Sequence, residues 1–281
     1  MSGLGLAFLR RSNFTHPSGG SNYILSEDKG DAEVFRILMA NGVSSDGVGI
    51  TKEDAAAVTT FGTWFTGNTI IERFNELQFF NNVFIGGDFD LYAKGTFADC
   101  TNLKEVTIPP ETKIVGYYAF RNCTNLTSIQ GLENVEKLRS GVFQNCSSLA
   151  IEVNHPNLVS WGDAVYQKSG VTKVLNLGNL AVLGKNQWGP GAFRECPNLE
   201  EVHLPASMTS LGIDGCYICR KLKLVICEAV TPPTMANKDV FGSSNANLVI
   251  YVPDESVEAY KAAANWNTYA EKIKGISEYQ G

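Results

Sequence analysis

The chain has little of what catalysis and nucleic-acid binding usually require. Histidine occurs three times, at His16, His155 and His203, and none belongs to an HExxH pair or a similar ligand spacing. Lysine and arginine number 23 against 29 acidic residues, a net charge of −6. The cations are scattered, so the electrostatic footprint of a nucleic-acid binder is missing. No apolar run approaches the roughly 18 residues of a membrane span, so no membrane insertion is expected. No GxxxxGK[ST] and no GxGxxG follows a strand pattern, which removes the common phosphate cradles. The start, "MSGLGLAFLRRS", places apolar residues before Arg10 and Arg11, the reverse of a secretory signal. Ser2 stands where myristoylation needs glycine.

The remaining polar constellations are thin. Asp88 and Asp90 in "GGDFDLYAKG" lack the further ligands of a calcium loop. His155 reads as part of the turn "NHPN", and His203 as an outward residue of "LEEVHL". "CYIC" (216–219) has a zinc or redox spacing but no second CxxC to complete it. Nucleophilic catalysis needs a positioned base, and no pairing of cysteine or serine with histidine is indicated. The expectation is a protein without cofactor or metal, and not an enzyme.

What the sequence does have is a repeat. "FADCTNL" (97–103), "FRNCTNL" (120–126), "FQNCSSL" (143–149) and "FRECPNL" (193–199) share residues and spacing, with weaker copies at "YQKSGV" (166–171) and "CYICRKL" (216–222). The third position after the aromatic falls at Cys100, Cys123, Cys146, Ser169, Cys196 and Cys219. These lie 23 apart, except for a step of 27 that holds the Gly/Pro/Trp loop "GKNQWGPGAF". A decayed copy is "FGSSNANL" (241–248), and a half-copy is read at "FNELQFF" (74–80). Alternating apolar positions follow each leucine, as in "LKEVTI" and "LEEVHL", which suits a short strand. Turn residues come next, then a return segment such as "KIVGYYAF". One such unit cannot bury its own apolar side, but stacked units can. Recurring down the chain, the cysteines read as small packing residues, unpaired, at the corner of each coil.

The pattern F-x-x-C-x-x-L-x-x-V/I-x-I/L-P resembles the BspA-like class of leucine-rich repeats, common in bacterial surface proteins. The resemblance implies an α/β repeat solenoid: a right-handed coil of ~23-residue repeats with short strands on one face, a small helical N-terminal region and a C-terminal capping helix. The end, "LVIYVPDESVEAYKAAANWNTYAEKIKGI", is similar to the usual close of such proteins, with Asp254 expected as N-cap and Val257, Tyr260 and Ala264 at helical spacing. Before the repeats, "DAEVFRILMANG" has helical spacing at Val34, Ile37 and Leu38. "TKEDAAAVTTFGTWF" opens on a capping-box-like Thr51 and Asp54. The expected divisions are an extended docking segment at 1–30, a helical module at 31–73, the solenoid at 74–252 and a cap at 253–281. "GLGLAFLRRS" and "VSSDGVGITKEDAAAVTTFGTWFTGNTIIERFNEL" also resemble an N-terminal module of virion proteins from bacteriophages of gut anaerobes.

A solenoid's strand face is an extended binding surface. The outward row between the two apolar strand positions is read as Thr107, Gln130, Glu152, Leu175, His203 and Ile226, with Leu175, Leu224 and Ile226 as exposed apolar anchors. Leu4, Leu6, Phe8, Leu9, Arg10 and Arg11 are the expected docking residues. Together with the resemblances, these point to a structural or adhesive phage virion component. Its expected partners are other virion proteins, copies of itself, or a host surface protein or glycan, and nucleic acid is not among them. A bacterial cell-surface adhesin is the alternative.

Overall fold

The computed structural model describes residues 22–87, 94–184 and 191–280. The expected docking residues Leu4 to Arg11, together with His16, Asp88 and Asp90, lie outside them. Two parallel ladders run along the molecule, one on each side of a continuous apolar core. The first joins Arg73–Phe74, Glu105–Thr107 and Ser128–Gln130, and then Glu152–Asn154, Lys173–Asn176, Glu201–Leu204, Leu224–Cys227, Val249–Val252 and Ile273–Gly275. The second is built from two-residue return strands, among them Ile114–Val115, Lys137–Leu138 and Ser160–Trp161. Helices are few, so this is the repeat solenoid that the sequence predicts.

The residues that repeat are the ones that stack. The rings of Phe65, Phe97, Phe120, Phe143, Tyr166 and Phe193 form one column with centroids 4.9–5.7 Å apart. The Phe97–Phe120 and Phe120–Phe143 pairs lie within 9° of parallel. Each such pair contributes about 0.5–1.5 kcal/mol beyond the area it buries. Beside this column the cysteines have a donor's role as well as a packing one. The thiols of Cys100, Cys123, Cys146, Cys196 and Cys219 donate to the carbonyls of Phe65, Phe97, Phe120, Tyr166 and Phe193, at 3.0–3.1 Å. Each of these five corners is thus tied to the aromatic residue of the coil before it, whereas the Ser169 hydroxyl faces the Cys196 thiol at 3.6 Å. All seven cysteines are buried and free. The residue just before the cysteine position turns the corner in the left-handed region, at Asp99, Asn122, Asn145, Lys168, Glu195 and Ile218.

The stack starts earlier than the sequence indicates. Phe65 stacks on Phe97, and Phe74 pairs with Val106 in the first ladder. Phe65, Asn68, Ile71 and Phe74 are therefore a complete corner and strand, with asparagine at the cysteine position. Phe74 is an inward strand residue and does not head a half-copy. The 3-10 turn Asn75–Phe79 lengthens this coil and hides it from a 23-residue frame.

The ends are closed by different devices. Helix Ala32–Ala40 buries Val34, Ile37 and Leu38, and Asp31 caps it by accepting from the amides of Glu33 and Val34. The other oxygen of Asp31 accepts from the amides of Glu72 and Arg73, groups on the open edge of the first strand. One carboxylate thereby satisfies orphan donors of a helix and of a sheet edge. Helix Lys52–Ala57 carries the Thr51/Asp54 capping box. At the far end Asp254 is not an N-cap: a 3-10 turn, Asp254–Ser256, precedes the helix Val257–Ala262, and Asp254 binds the backbone and hydroxyl of Ser277 instead. Tyr260 packs edge-on against the buried Trp266 at 4.8 Å, and Ala264 lies beyond the helix and is exposed. The strand Ile273–Gly275 then completes the first ladder.

That ladder breaks between Ser128–Gln130 and Glu152–Asn154. The spacing explains the break. Six positions separate Cys100 from Val106, Cys123 from Ile129 and Cys196 from Val202, whereas seven separate Cys146 from Val153 and five separate Ser169 from Val174. The extra residue lies in "LAIEV", where the amide of Ala150 turns back to Ser148 rather than reaching the neighbouring coil. The corner-to-strand interval is thus a residue long in one coil and a residue short in the next, while Cys146 and Ser169 keep the 23-residue step.

Candidate functional site

The outer face of the first ladder presents two rows of side chains. In parallel register Thr107 lies beside Gln130, and further along His203, Ile226 and Tyr251 follow one another, with Lys274 beside Tyr251. Glu152 does not belong to this row. It pairs with Lys173 and stands before inward Val153, so Asn154 holds the expected place. The additional residue after Leu149 shifts the alternation by one, which moves every outward assignment in that strand. His155 is consequently no turn residue. It is 1% exposed, at the inward position that Ile108, Leu204 and Cys227 hold in other coils.

Charge on this face is mostly paired. The Lys173 ammonium lies 3.4 Å from Glu201 and 3.7 Å from Glu152. Its pKa is raised, chiefly by the Glu201 charge. Glu201 also meets His203 at 2.7 Å. Lys223 pairs with Glu200 at 2.7 Å and lowers its pKa, and Lys104 pairs with Glu72 at 3.0 Å. Such exposed pairs contribute little to stability, about 0–1 kcal/mol each, but they leave few open charges for a ligand. Thr107 is bonded to Asn75 at 3.2 Å. Glu228 has no cationic partner among the described residues.

The apolar anchors divide. Leu175 is 36% exposed, Leu224 is half-buried, and Ile226 is only 8% exposed. Ile226 is flanked by His203 and Tyr251, and Tyr251 is itself met by Tyr279 at 5.1 Å. The C-terminal turn therefore reaches onto the strand face, which alternation within one strand cannot reveal. Leu175 and Asn176 form a bulge in the strand Lys173–Asn176. Beside it lies a shallow hollow of about 290 Å3, bordered by Asn176, Gly178, His203, Pro205 and Glu228. Asn176, Glu228 and Tyr251 are surface residues of this face that the sequence reading passed over; an isolated polar residue beside a bulge leaves no periodic signal.

A second polar group lies beneath the face, closed to solvent. Tyr166 replaces the ladder phenylalanine, and its hydroxyl meets His155 Nε2 at 2.9 Å. His155 Nδ1 and Trp161 Nε1 are buried without a hydrogen-bond partner. Burial lowers the His155 pKa to about 4, against a smaller opposing pull from the Leu132 carbonyl. "CYIC" has a similarly structural place: Cys216 takes the phenylalanine position and Cys219 the cysteine position, both buried.

Stacked coils with inward phenylalanine, cysteine and leucine columns define a leucine-rich-repeat solenoid. The family model for the BspA type leucine rich repeat region matches residues 90–223 and 180–245, in six copies. With more than half of its length matched, the chain belongs to that family. Among solved structures it is similar to a leucine-rich repeat protein from Bacteroides ovatus, at 24% identity over 58% of this chain and 42% of that one, with a TM-score of 0.42. It is also similar to the T. pallidum leucine rich repeat protein, at 23% identity over 64% of this chain and 75% of that one, with a TM-score of 0.35. A leucine rich cell surface protein from Faecalibacterium prausnitzii aligns at 17% identity over 66% of this chain and 75% of that one, with a TM-score of 0.23. The chain thus spans less than half the length of the Bacteroides ovatus protein. No curated protein matches.

Proposed function

We propose that this chain is a non-enzymatic interaction protein, structural or adhesive, that presents the outer face of its first ladder to a macromolecular partner. The observation that carries the reading is the face itself: shallow outward rows on parallel strands, running the length of the solenoid. Such a surface suits an extended macromolecule better than a small substrate, which is held in a deep and mostly apolar pocket. Groups whose titration burial displaces, among them Cys100, His155, Tyr166 and Tyr260, lie within the core. Family membership supports adhesion or protein–protein contact.

Its place is a bacteriophage virion, where the region before the coils docks to the particle and the solenoid reaches the host surface or neighbouring subunits. The resemblance of "GLGLAFLRRS" and the segment from Val43 to Leu77 to phage virion modules supports this reading. The second reading, a bacterial cell-surface adhesin, is supported by the BspA-type family match. Quantitative mass spectrometry of purified virions and of envelope fractions from phage-free cells separates them. Enrichment with the particles is expected; recovery from envelopes of phage-free cells would overturn the virion reading. Because Ile24 and Leu25 of the expected 1–30 segment are buried in the core, the test removes residues 1–21, which should abolish particle incorporation while the solenoid stays folded.

A further inference from the structure

The strand face is not uniform along its length. Toward the N-terminal coils its outward row is Thr107 and Gln130, and Thr107 is already bonded to Asn75. Toward the C-terminal coils the row becomes Leu175, His203, Ile226 and Tyr251, continued by the 37%-exposed Tyr279. Neighbouring strands lie about 4.8 Å apart, so this stretch runs roughly 15 Å across the strands. That is the length of four or five extended residues.

The hollow at the Leu175 bulge sits at one end of this row. The bulge turns Leu175 outward and places Asn176 at the rim, where its side-chain oxygen accepts from the Gly178 amide at 2.8 Å. Elsewhere on the face Glu72, Glu152, Glu200 and Glu201 have lysine partners, and Glu105 accepts from the Asn75 amide. At the hollow, Glu228 has none among the described residues, and His203 is held by Glu201. An unneutralised carboxylate beside an exposed leucine matches a cation on an apolar stem. Of the two cationic side chains, arginine fits better: its guanidinium is weakly hydrated, offers five donors and lies flat on apolar surface. The net charge of −6 favours approach of a basic partner.

We propose that the hollow beside Leu175 takes an arginine side chain from an extended segment of a partner protein, whose apolar residues lie along Tyr251 and Tyr279. This rests on the strand-face reading above and narrows it to one half of the face and one partner chemistry. The test is an amide NMR titration of the full chain with the blocked tripeptide acetyl-Leu-Arg-Leu-amide, beside its analogue with glutamate in place of arginine. Saturable shifts at Asn176, Gly178, His203 and Glu228 are expected with the arginine peptide only. Glu228→Gln should weaken binding by up to about fivefold, the top of the range for an exposed ion pair, and Leu175→Asp should abolish it. Equal shifts from both peptides, no shifts at all, or no effect of Glu228→Gln would overturn the proposal. Shifts centred on Thr107 and Gln130 would overturn it while leaving the strand-face reading intact. Shifts confined to surfaces away from the first ladder would overturn both.

Discussion

Lowering the pH from 7 to 4 should destabilise this solenoid through His155, and by an amount that can be isolated. In the unfolded chain the imidazole titrates near its model value of 6.5, whereas in the folded chain burial lowers its pKa to about 4. Between those values the unfolded state binds more protons, so stability is intact above about pH 6.5 and falls progressively down to about pH 4. A gap of about 2.5 units corresponds to about 3 kcal/mol. Carboxylates titrate at the lower end of the same window, so the His155 contribution must be read against a variant. His155→Leu restores the side chain that Leu204 supplies in another coil, but alone it leaves the Tyr166 hydroxyl buried and unpaired, a cost of about 1–3 kcal/mol. Adding Tyr166→Phe, the residue found in most of the column, removes both polar partners. Such a double replacement is close to neutral or stabilising. Urea unfolding from pH 7.5 to 4 should show the wild type losing about 3 kcal/mol more than the His155→Leu/Tyr166→Phe variant. Parallel curves for the two proteins, or a folded-state His155 titration near 6.5 by NMR, would refute the reasoning.

Other expectations follow from the coil corners and ends. Burial pushes the thiol of Cys100 up to about 12 and raises those of Cys146 and Cys216. Native protein at pH 8 should therefore resist an aromatic disulfide reagent that titrates seven thiols in denaturant, and rapid native labelling would contradict the packing role. Ile218 is a β-branched residue at φ 61° in the position where other coils use Asn122 and Asn145. Ile218→Asn should raise stability by about 1 kcal/mol, seen as a higher Tm, by relieving left-handed strain; a lower Tm would show that its packing outweighs the strain. Asp31→Ala should cost about 1–2 kcal/mol and speed amide exchange at Glu72 and Arg73. Unchanged exchange there would show that the cap and the strand edge are independent.

The sequence made the middle of this molecule legible because identity and spacing recur together. Phe97, Phe120, Phe143 and Phe193, with their cysteines, stack as their frame implies. The reading failed where one of the two signals lapsed. Phe65 heads a coil, but Asn68 replaces the cysteine and a 3-10 turn stretches the interval to Phe97. Glu152 was placed in the row of Asn154 because "LAIEV" alternates in two ways, and only pairing with the next coil selects Val153 as the inward residue. His155 occupies an apolar position while looking like a turn residue, since a buried partner such as the Tyr166 hydroxyl leaves no local trace. Ile226 lost its exposure to rings brought in by Tyr251 and by the distant Tyr279. In each case the deciding interaction runs between coils.

The long interval beside the short one behaves like a dislocation in a crystal. A row is inserted at Ala150–Ile151 and cancelled before Val174, so the lattice is regular on both sides while the strand hydrogen bonds of the first ladder stop at the seam. What crosses the seam is the second ladder, where Lys137 and Leu138 pair with Ser160 and Trp161, together with the corner amides of Phe120 and Asn122 bonded to the carbonyls of Val142 and Gln144, the ring column and the thiol tie from Cys146 to the Phe120 carbonyl. With one ladder interrupted and the other continuous, the seam is a hinge: bending that opens the first ladder there breaks no strand hydrogen bond, while the second ladder holds the two blocks together.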